Sequence, residues 1–256
     1  GHLPQVVANV ARSREPSWNS SQDRTAAFTT DRRYRHPDRR LSIGKHRRSL
    51  PRTVGSAWTI DDYNNAVEIG ALLWLREFSW IDFDTGFHEA AARFDWLEAA
   101  LPPRHVRSEG QVELQQFSTP PILAWLMAKA ASLGTRDHIL EPSAGNGALA
   151  LWGDVRDCSL TLNEIDRARH DALAHIFPDA RLSANDGELI AELVDGSSPS
   201  VILMNPPFAR SRERGVDGRT AMCHLRSALR VCAVGGRLVA ILPDGFDATA
   251  FVGDQE

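Results

Sequence analysis

The chain has 256 residues, 43% of them hydrophobic and 24% charged, with a formal net charge of -4; this suits one ordinary domain plus an appendage, or two small domains, and a unit of this size can bury roughly 70% of its unfolded surface. Cys158, Cys223 and Cys232 cannot all pair, show no C-x-x-C spacing and have no histidine cluster beside them, so neither a disulfide framework nor a metal site is expected, and a reducing, cytoplasmic compartment fits best. The apolar run Ile69 to Leu75 is far short of the roughly 20 residues a membrane span needs, and the N-terminus lacks a signal-peptide core, which excludes membrane and secreted classes.

Taken in chain order, residues 1–56 hold 12 Lys+Arg against 4 Asp+Glu, and the remainder holds 17 against 29. This basic stretch has no helical or strand periodicity and too few apolar residues for a core, and is expected to be a disordered arm. Either it is a solvated leader, the preferred reading, or its arginines hold nucleic acid through phosphate contacts. Residues 57–115 read as a helical segment. Asp61 and Asp62 suit an N-cap, Val67, Leu72, Leu75 and Phe78 recur at near-helical spacing, and a second run from Phe87 to Leu101 stops at Pro102 and Pro103. Trp74, Trp80 and Trp96 are read as packing residues rather than as base-stacking surfaces.

After a polar link at 104–116, an α/β pattern fills residues 116–256. Thr119 is expected to cap a helix beginning at Pro120 and running to about Leu133. Apolar strands are predicted at His138–Leu140, Leu160–Leu162, Ala180–Leu182, Val201–Met204 and Leu238–Leu242, with helical stretches between them. Strands alternating with helices predict a doubly wound, mainly parallel sheet, which binds ligands at the carboxyl ends of its strands.

Three motifs fall at those ends. The turn from Leu140 to Leu149, Glu-Pro-Ser-Ala-Gly-Asn-Gly at its centre, lets a ligand approach the backbone at Gly145 and Gly147. With Ala150 the glycines meet the loose dinucleotide pattern, and Glu164 lies near the expected offset for a ribose acid, so a nicotinamide cofactor and S-adenosylmethionine both fit. Glu141 tilts the choice, because a carboxylate repels a pyrophosphate and favours an ammonium or sulfonium. Asp186, after the third strand, can accept from an adenine amino group or simply make an Asp-Gly turn. Asn205-Pro206-Pro207-Phe208 follows the fourth strand. The Asn205 side-chain oxygen and the Pro206 carbonyl can both accept from an exocyclic NH2, favouring a tetrahedral nitrogen whose lone pair faces a methyl donor. The two prolines remove backbone donors, and Phe208 can stack on a planar substrate, which a duplex base must be flipped out to reach.

In their order, Phe117-Ser118-Thr119-Pro120-Pro121, the turn from Leu140 to Leu149, Asn163-Glu164-Ile165-Asp166, Asp186 and Asn205 to Phe208 resemble the motifs of class I S-adenosylmethionine-dependent N6-adenine-type DNA methyltransferases. More narrowly, residues 58–242 resemble the methyltransferase region of bacterial strawberry-notch-like helicase proteins. The resemblance implies a Rossmann-like methyltransferase sheet over 116–256 and S-adenosyl-L-methionine as cofactor. Thr119, Glu141 and the Ser143, Gly145 and Gly147 turn would hold its methionine end, Glu164 its ribose, Ile165 one adenine face and Asp186 the adenine amino group. Asn205, Pro206 and Phe208 would hold the acceptor amine, most simply adenine N6 in DNA, with RNA or a protein side chain as other acceptors. Since only 19 positions separate Asp186 from Asn205, no target-recognition domain is inserted there. Two departures follow: the last two strands of the family's sheet are not found, leaving Leu238–Leu242 as an expected open edge of a truncated domain, and the helicase region is missing from the sequence and would be a separate region or partner. The rivals are a catalytically silent cofactor- or nucleic-acid-binding module severed from such a protein, and a nicotinamide-dependent oxidoreductase, which leaves Asn205 to Phe208 without a role.

Overall fold

The computed structural model describes residues 5–8, 60–78, 81–101, 118–193, 198–207, 209–211 and 215–242. Two helices lead into the α/β region, α1 (Ile60–Phe78) and α2 (Phe87–Ala100). Asp61 and Asp62 lie inside the first turn of α1 instead of capping it, and Arg76 lies in its last turn; both placements oppose the helix dipole favourably. Val67, Ala71, Leu72 and Leu75 of α1 and Ala90, Phe94 and Leu97 of α2 are buried. Trp74 is buried with its ring centroid 5.9 Å from that of Trp96, so both tryptophans pack as the spacing predicts; Trp80 lies outside the described residues.

Next come α3 (Pro121–Ala130), β2 (His138–Glu141), α4 (Ala150–Asp154), β3 (Ser159–Asn163), α5 (Arg167–Ile176) and β4 (Arg181–Ser183), where β1 is the N-terminal strand Gln5–Ala8. A 3-10 turn (Gly187–Leu189), α6 (Ile190–Leu193), β5 (Val201–Met204), a hairpin of β6 (Ala209–Ser211) and β7 (Gly215–Asp217), α7 (Gly218–Val231) and β8 (Arg237–Ala240) complete the order. The main sheet runs β1-β8-β5-β2-β3-β4 with every pairing parallel. Such a sheet must be covered on both faces, so its central strands read as continuous apolar runs instead of alternating ones. Ile139, Val201, Leu203 and Val239 face the helices α1 to α5, and Leu140, Ile202, Met204 and Leu238 face Ile190 of α6 and Leu225 and Ala228 of α7.

The doubly wound, parallel α/β fold expected from the sequence is present, and its five expected strands lie within two residues of their predicted bounds. Three expectations are corrected. Gln5–Ala8, inside the stretch read as a disordered arm, pairs parallel with β8 from Gln5↔Arg237 to Ala8↔Ala240. The edge expected to stay open at Leu238–Leu242 is therefore occupied over the four residues of β8; Val6 and Val7 favour extended backbone, and an unpaired edge offers them a full row of partners. Residues 9–59 of that stretch lie outside the described residues. Thr119 does not cap α3: Pro120 holds that position with ψ 138 and no side-chain cap bond, because the following Pro121 excludes it from helical geometry. The β6–β7 hairpin, antiparallel from Ala209↔Asp217 to Ser211↔Gly215, has strands too short and too charged to betray themselves by alternation.

Candidate functional site

β2 is followed by β3 and then β4 on one side, whereas β5 and β8 lie on its other side. The order reverses between β2 and β5, which opens a crevice beyond their carboxyl ends. From β2 the chain enters the glycine turn, where Gly145 and Gly147 have φ of 56° and 88°. A Cβ on Gly147 would lie 2.4 Å from Cε2 of Phe177, so this glycine lets the turn close onto the end of α5. Glu141 is buried beneath the turn and accepts a backbone hydrogen bond from Ala150, while its Oε2 has no partner. Burial pushes its carboxyl well above the usual carboxylate range, and the nearby Glu164 adds to the rise.

Asn163, at the end of β3 and 1% exposed, ties three loops together. Its Nδ2 donates to the carbonyls of Pro142 and Asn185, both at 2.9 Å, and its Oδ1 accepts from Ser183 Oγ at 2.8 Å and from the Asn185 N–H at 2.9 Å. Its backbone carbonyl accepts from the Ala144 N–H at 2.8 Å. The loops after β2, β3 and β4 are thus held to one another by a single side chain. Glu164 adds a second tie: Oε2 accepts from the Gly145 N–H at 2.6 Å and Oε1 from the Asp166 N–H at 2.8 Å. Burial raises its carboxyl above its ordinary value, opposed by those hydrogen bonds and by the buried Arg169. Each carboxylate oxygen has a second lone pair with which to receive a ligand hydroxyl.

Beside Glu164, Ile165 is 58% exposed. Asp186 is exposed as well and caps the 3-10 turn, its Oδ1 accepting from the Glu188 N–H at 2.9 Å. A Cβ on Gly187 would lie 2.8 Å from the ring of the buried His224 on α7, which sets how closely that helix supports the Asp186 loop.

At the end of β5, Asn205 Nδ2 donates to Thr119 Oγ1 at 3.2 Å, and Pro206 is buried. The bond fixes the amide's orientation: Nδ2 faces Thr119, so the oxygen is the end that can accept from an amine. Phe208 lies outside the described residues. Thr119, Ser143, Gly145 and Asn205 share one cleft, walled on the opposite side by Val67, Glu68, Ala71 and Leu72 of α1 and by Phe94 and Leu97 of α2. Glu164, Ile165 and Asp186 follow the ends of β3 and β4 and are not among the residues lining that cleft. Sequence reasoning gave Asn163 no role of its own and overlooked Glu68. A polar residue closing an apolar strand and a carboxylate within an apolar helix face are the signals that mark them.

Among the described residues no helix is long and apolar enough to cross a membrane, and no group of three or more His, Cys, Asp or Glu side chains is placed to hold a metal ion. No family model matches the chain. Over 146 residues it is 25% identical to the type II restriction enzyme and methyltransferase RM.BcgI of Heyndrickxia coagulans, a match covering 49% of this chain and 23% of that protein. The chain thus spans about a quarter of the length of this curated relative. Among solved structures it is similar to a provisionally assigned class I S-adenosylmethionine-dependent methyltransferase of Listeria monocytogenes (16% identity, TM-score 0.49, 84% of this chain and 76% of that one). It is also similar to a TehB-like SAM-dependent methyltransferase of Corynebacterium glutamicum (15%, 0.40, 65% and 79%) and to TrmN of Thermus thermophilus (21%, 0.41, 56% and 48%).

Proposed function

We propose that the chain transfers a methyl group from S-adenosylmethionine to an exocyclic amine, with adenine N6 in DNA as the acceptor. The observation that carries this reading is the meeting of the glycine turn with Asn205-Pro206-Pro207 at the reversal between β2 and β5, Asn205 Nδ2 being held by Thr119. The residues present fit a cationic adenosyl ligand. Asn146 Oδ1 is buried without a partner, Ile165 is bare enough to receive a ring, and the described residues lining the cleft include two glutamates but no lysine, arginine or histidine.

When bound, S-adenosylmethionine supplies an electrophilic methyl group on a sulfonium. The chain's own residues do the rest. Glu164 receives ribose hydroxyls through its remaining lone pairs, Ile165 covers an adenine face, and Asp186 accepts from the adenine amino group. Thr119, Ser143 and the Gly145 turn, supported from below by Glu141 and Gly147, border the amino-acid end. On the acceptor side, Asn205 Oδ1 and the Pro206 carbonyl take hydrogen bonds from the NH2, drawing its lone pair out of conjugation; Phe208 stacks on the base. Transfer would form one N–C bond and break the sulfonium S–C bond, its electron pair staying on sulfur to leave S-adenosylhomocysteine, and the nitrogen would lose one proton to water. This is electrostatic positioning of the reacting amine in a site shaped before the reaction begins.

Two features support a nucleic-acid acceptor. A curated protein that the chain resembles over 146 residues is named as a restriction enzyme and methyltransferase. Residues 208–219, which include the hairpin strands directly after Pro207, hold four arginines against Glu213 and Asp217, although residues 57–256 as a whole carry a surplus of acids. Arginines that follow the Asn205-Pro206-Pro207 motif this directly in sequence suit phosphate contacts. A helicase region or partner chain would act on the same DNA. The donor half of the reading is tested by calorimetric titration of S-adenosylhomocysteine against NAD: saturable binding of the former alone is expected, and binding of NAD alone would overturn it in favour of hydride chemistry.

A further inference from the structure

The wall of the cleft contributed by α1 is not wholly apolar. Glu68 sits between Val67 and the buried Ala71 and Leu72, and all four line the cleft. Its Oε2 accepts from Asn146 Nδ2 at 2.6 Å and from Ser118 Oγ. Asn146 Nδ2 also donates to Asn65 Oδ1 at 3.0 Å, so two residues of α1 hold the side chain that stands between the two positive-φ glycines. Asn146 is 4% exposed, and its Oδ1 has no partner although the residue lines the cleft. A buried amide oxygen without a donor costs about 1–3 kcal/mol. Here the described lining residues offer no cationic side chain to supply one.

We propose that Glu68 of α1 and Asn146 Oδ1 together receive the ammonium group at the amino-acid end of the methyl donor. An ammonium carries three N–H donors and no acceptor, which matches a carboxylate and an unpartnered amide oxygen on two residues that line one cleft. The subsite gives the helical segment a function: α1 completes the donor site, holding the turn through Asn65 and Glu68 and selecting an amino acid's positive end. It also explains the direction of the Asn146 amide. With both nitrogen protons committed to α1, its oxygen is left for the ligand. The inference rests on the donor reading above and assigns to it a residue outside the strand-end motifs.

Calorimetry on the full chain with S-adenosylhomocysteine and its deamino analogue, identical but for the ammonium group, tests it. The wild type is expected to prefer S-adenosylhomocysteine by roughly ten- to hundredfold, as for hydrogen bonds between charged groups, and Glu68→Gln to narrow that preference to within about threefold. Affinity for the deamino analogue should stay nearly unchanged in the variant, whereas a merely structural role would weaken both ligands together. Equal affinities for the two ligands in the wild type, or a full preference retained in Glu68→Gln, would overturn the inference while leaving the donor reading intact. Binding of neither ligand by the wild type would overturn both. Should Glu68→Gln fold poorly, Asn146→Ser carries the same comparison with the same outcomes.

Discussion

Glu141 and Asn163 show how single side chains make this cleft and what they cost. Because burial holds the Glu141 carboxyl well above its ordinary value, the folded chain keeps that proton in a pH range where the unfolded chain has lost it. Stability from this group is full at acidic pH and falls as pH rises from the usual carboxylate range toward the raised value. Glu141→Gln keeps an oxygen for the Ala150 N–H but cannot ionise. Urea denaturation at a series of pH values is expected to show a flatter profile for the variant, with its stability relative to wild type rising as pH rises; parallel profiles would contradict the assignment. Asn163→Ala removes four hydrogen bonds and leaves the carbonyls of Pro142 and Asn185 without their side-chain donor. A loss on the order of 3 kcal/mol is expected, read from the same denaturation experiment, because each unpaired buried group carries its own desolvation cost.

At the scale of elements, the glycine turn and the strands it joins were legible for different reasons. Val201–Met204 is apolar at every position because a parallel strand covered on both faces has no solvent side, and that run survives in the sequence as an unbroken signal. The turn was legible because glycine spacing reports backbone that other residues resist. Gly147→Ala tests this: with φ at 88° and a new Cβ 2.4 Å from Phe177, conformational strain and overpacking should together destabilise the fold by about 2–5 kcal/mol. Thermal melting checks it, and a loss below about 1 kcal/mol would mean that the turn rearranges freely. What stayed hidden is non-local. Nothing along the chain announces that Asn163 meets Asn185, that Asn146 meets Asn65 and Glu68 across about 80 positions, or that Gln5–Ala8 joins β8 from the other end of the sequence. Thr119 and Asn205 were each singled out from the sequence, but not their contact; capping is a local rule, and at Thr119 the Pro120-Pro121 pair displaced it.

On the scale of the whole molecule, one core joins α1, α2 and the sheet, so the helices ahead of the α/β region shape the cleft instead of standing apart from it. Arg76 of α1 reinforces that union by donating to the Ile176 carbonyl at the end of α5, at 2.7 Å. The loops after β2, β3 and β4 are tied to one another through Asn163, and Asn205 after β5 is held beside Thr119 in the cleft that α1 and α2 wall. The proposed methylation of an amine, with Asn205 as the acceptor's partner, is measured directly by transfer of a labelled methyl group from S-adenosylmethionine. Unmethylated DNA, RNA and protein are offered side by side to wild type and to Asn205→Ala, with the labelled product digested and identified. N6-methyladenine in DNA is expected with the wild type, and loss of transfer with near-normal donor affinity in the variant, the mark of an interaction made with the acceptor in the transition state. Wild-type chain that binds S-adenosylmethionine yet labels none of the three acceptors, or Asn205→Ala that labels DNA as fast as wild type, would contradict the proposal.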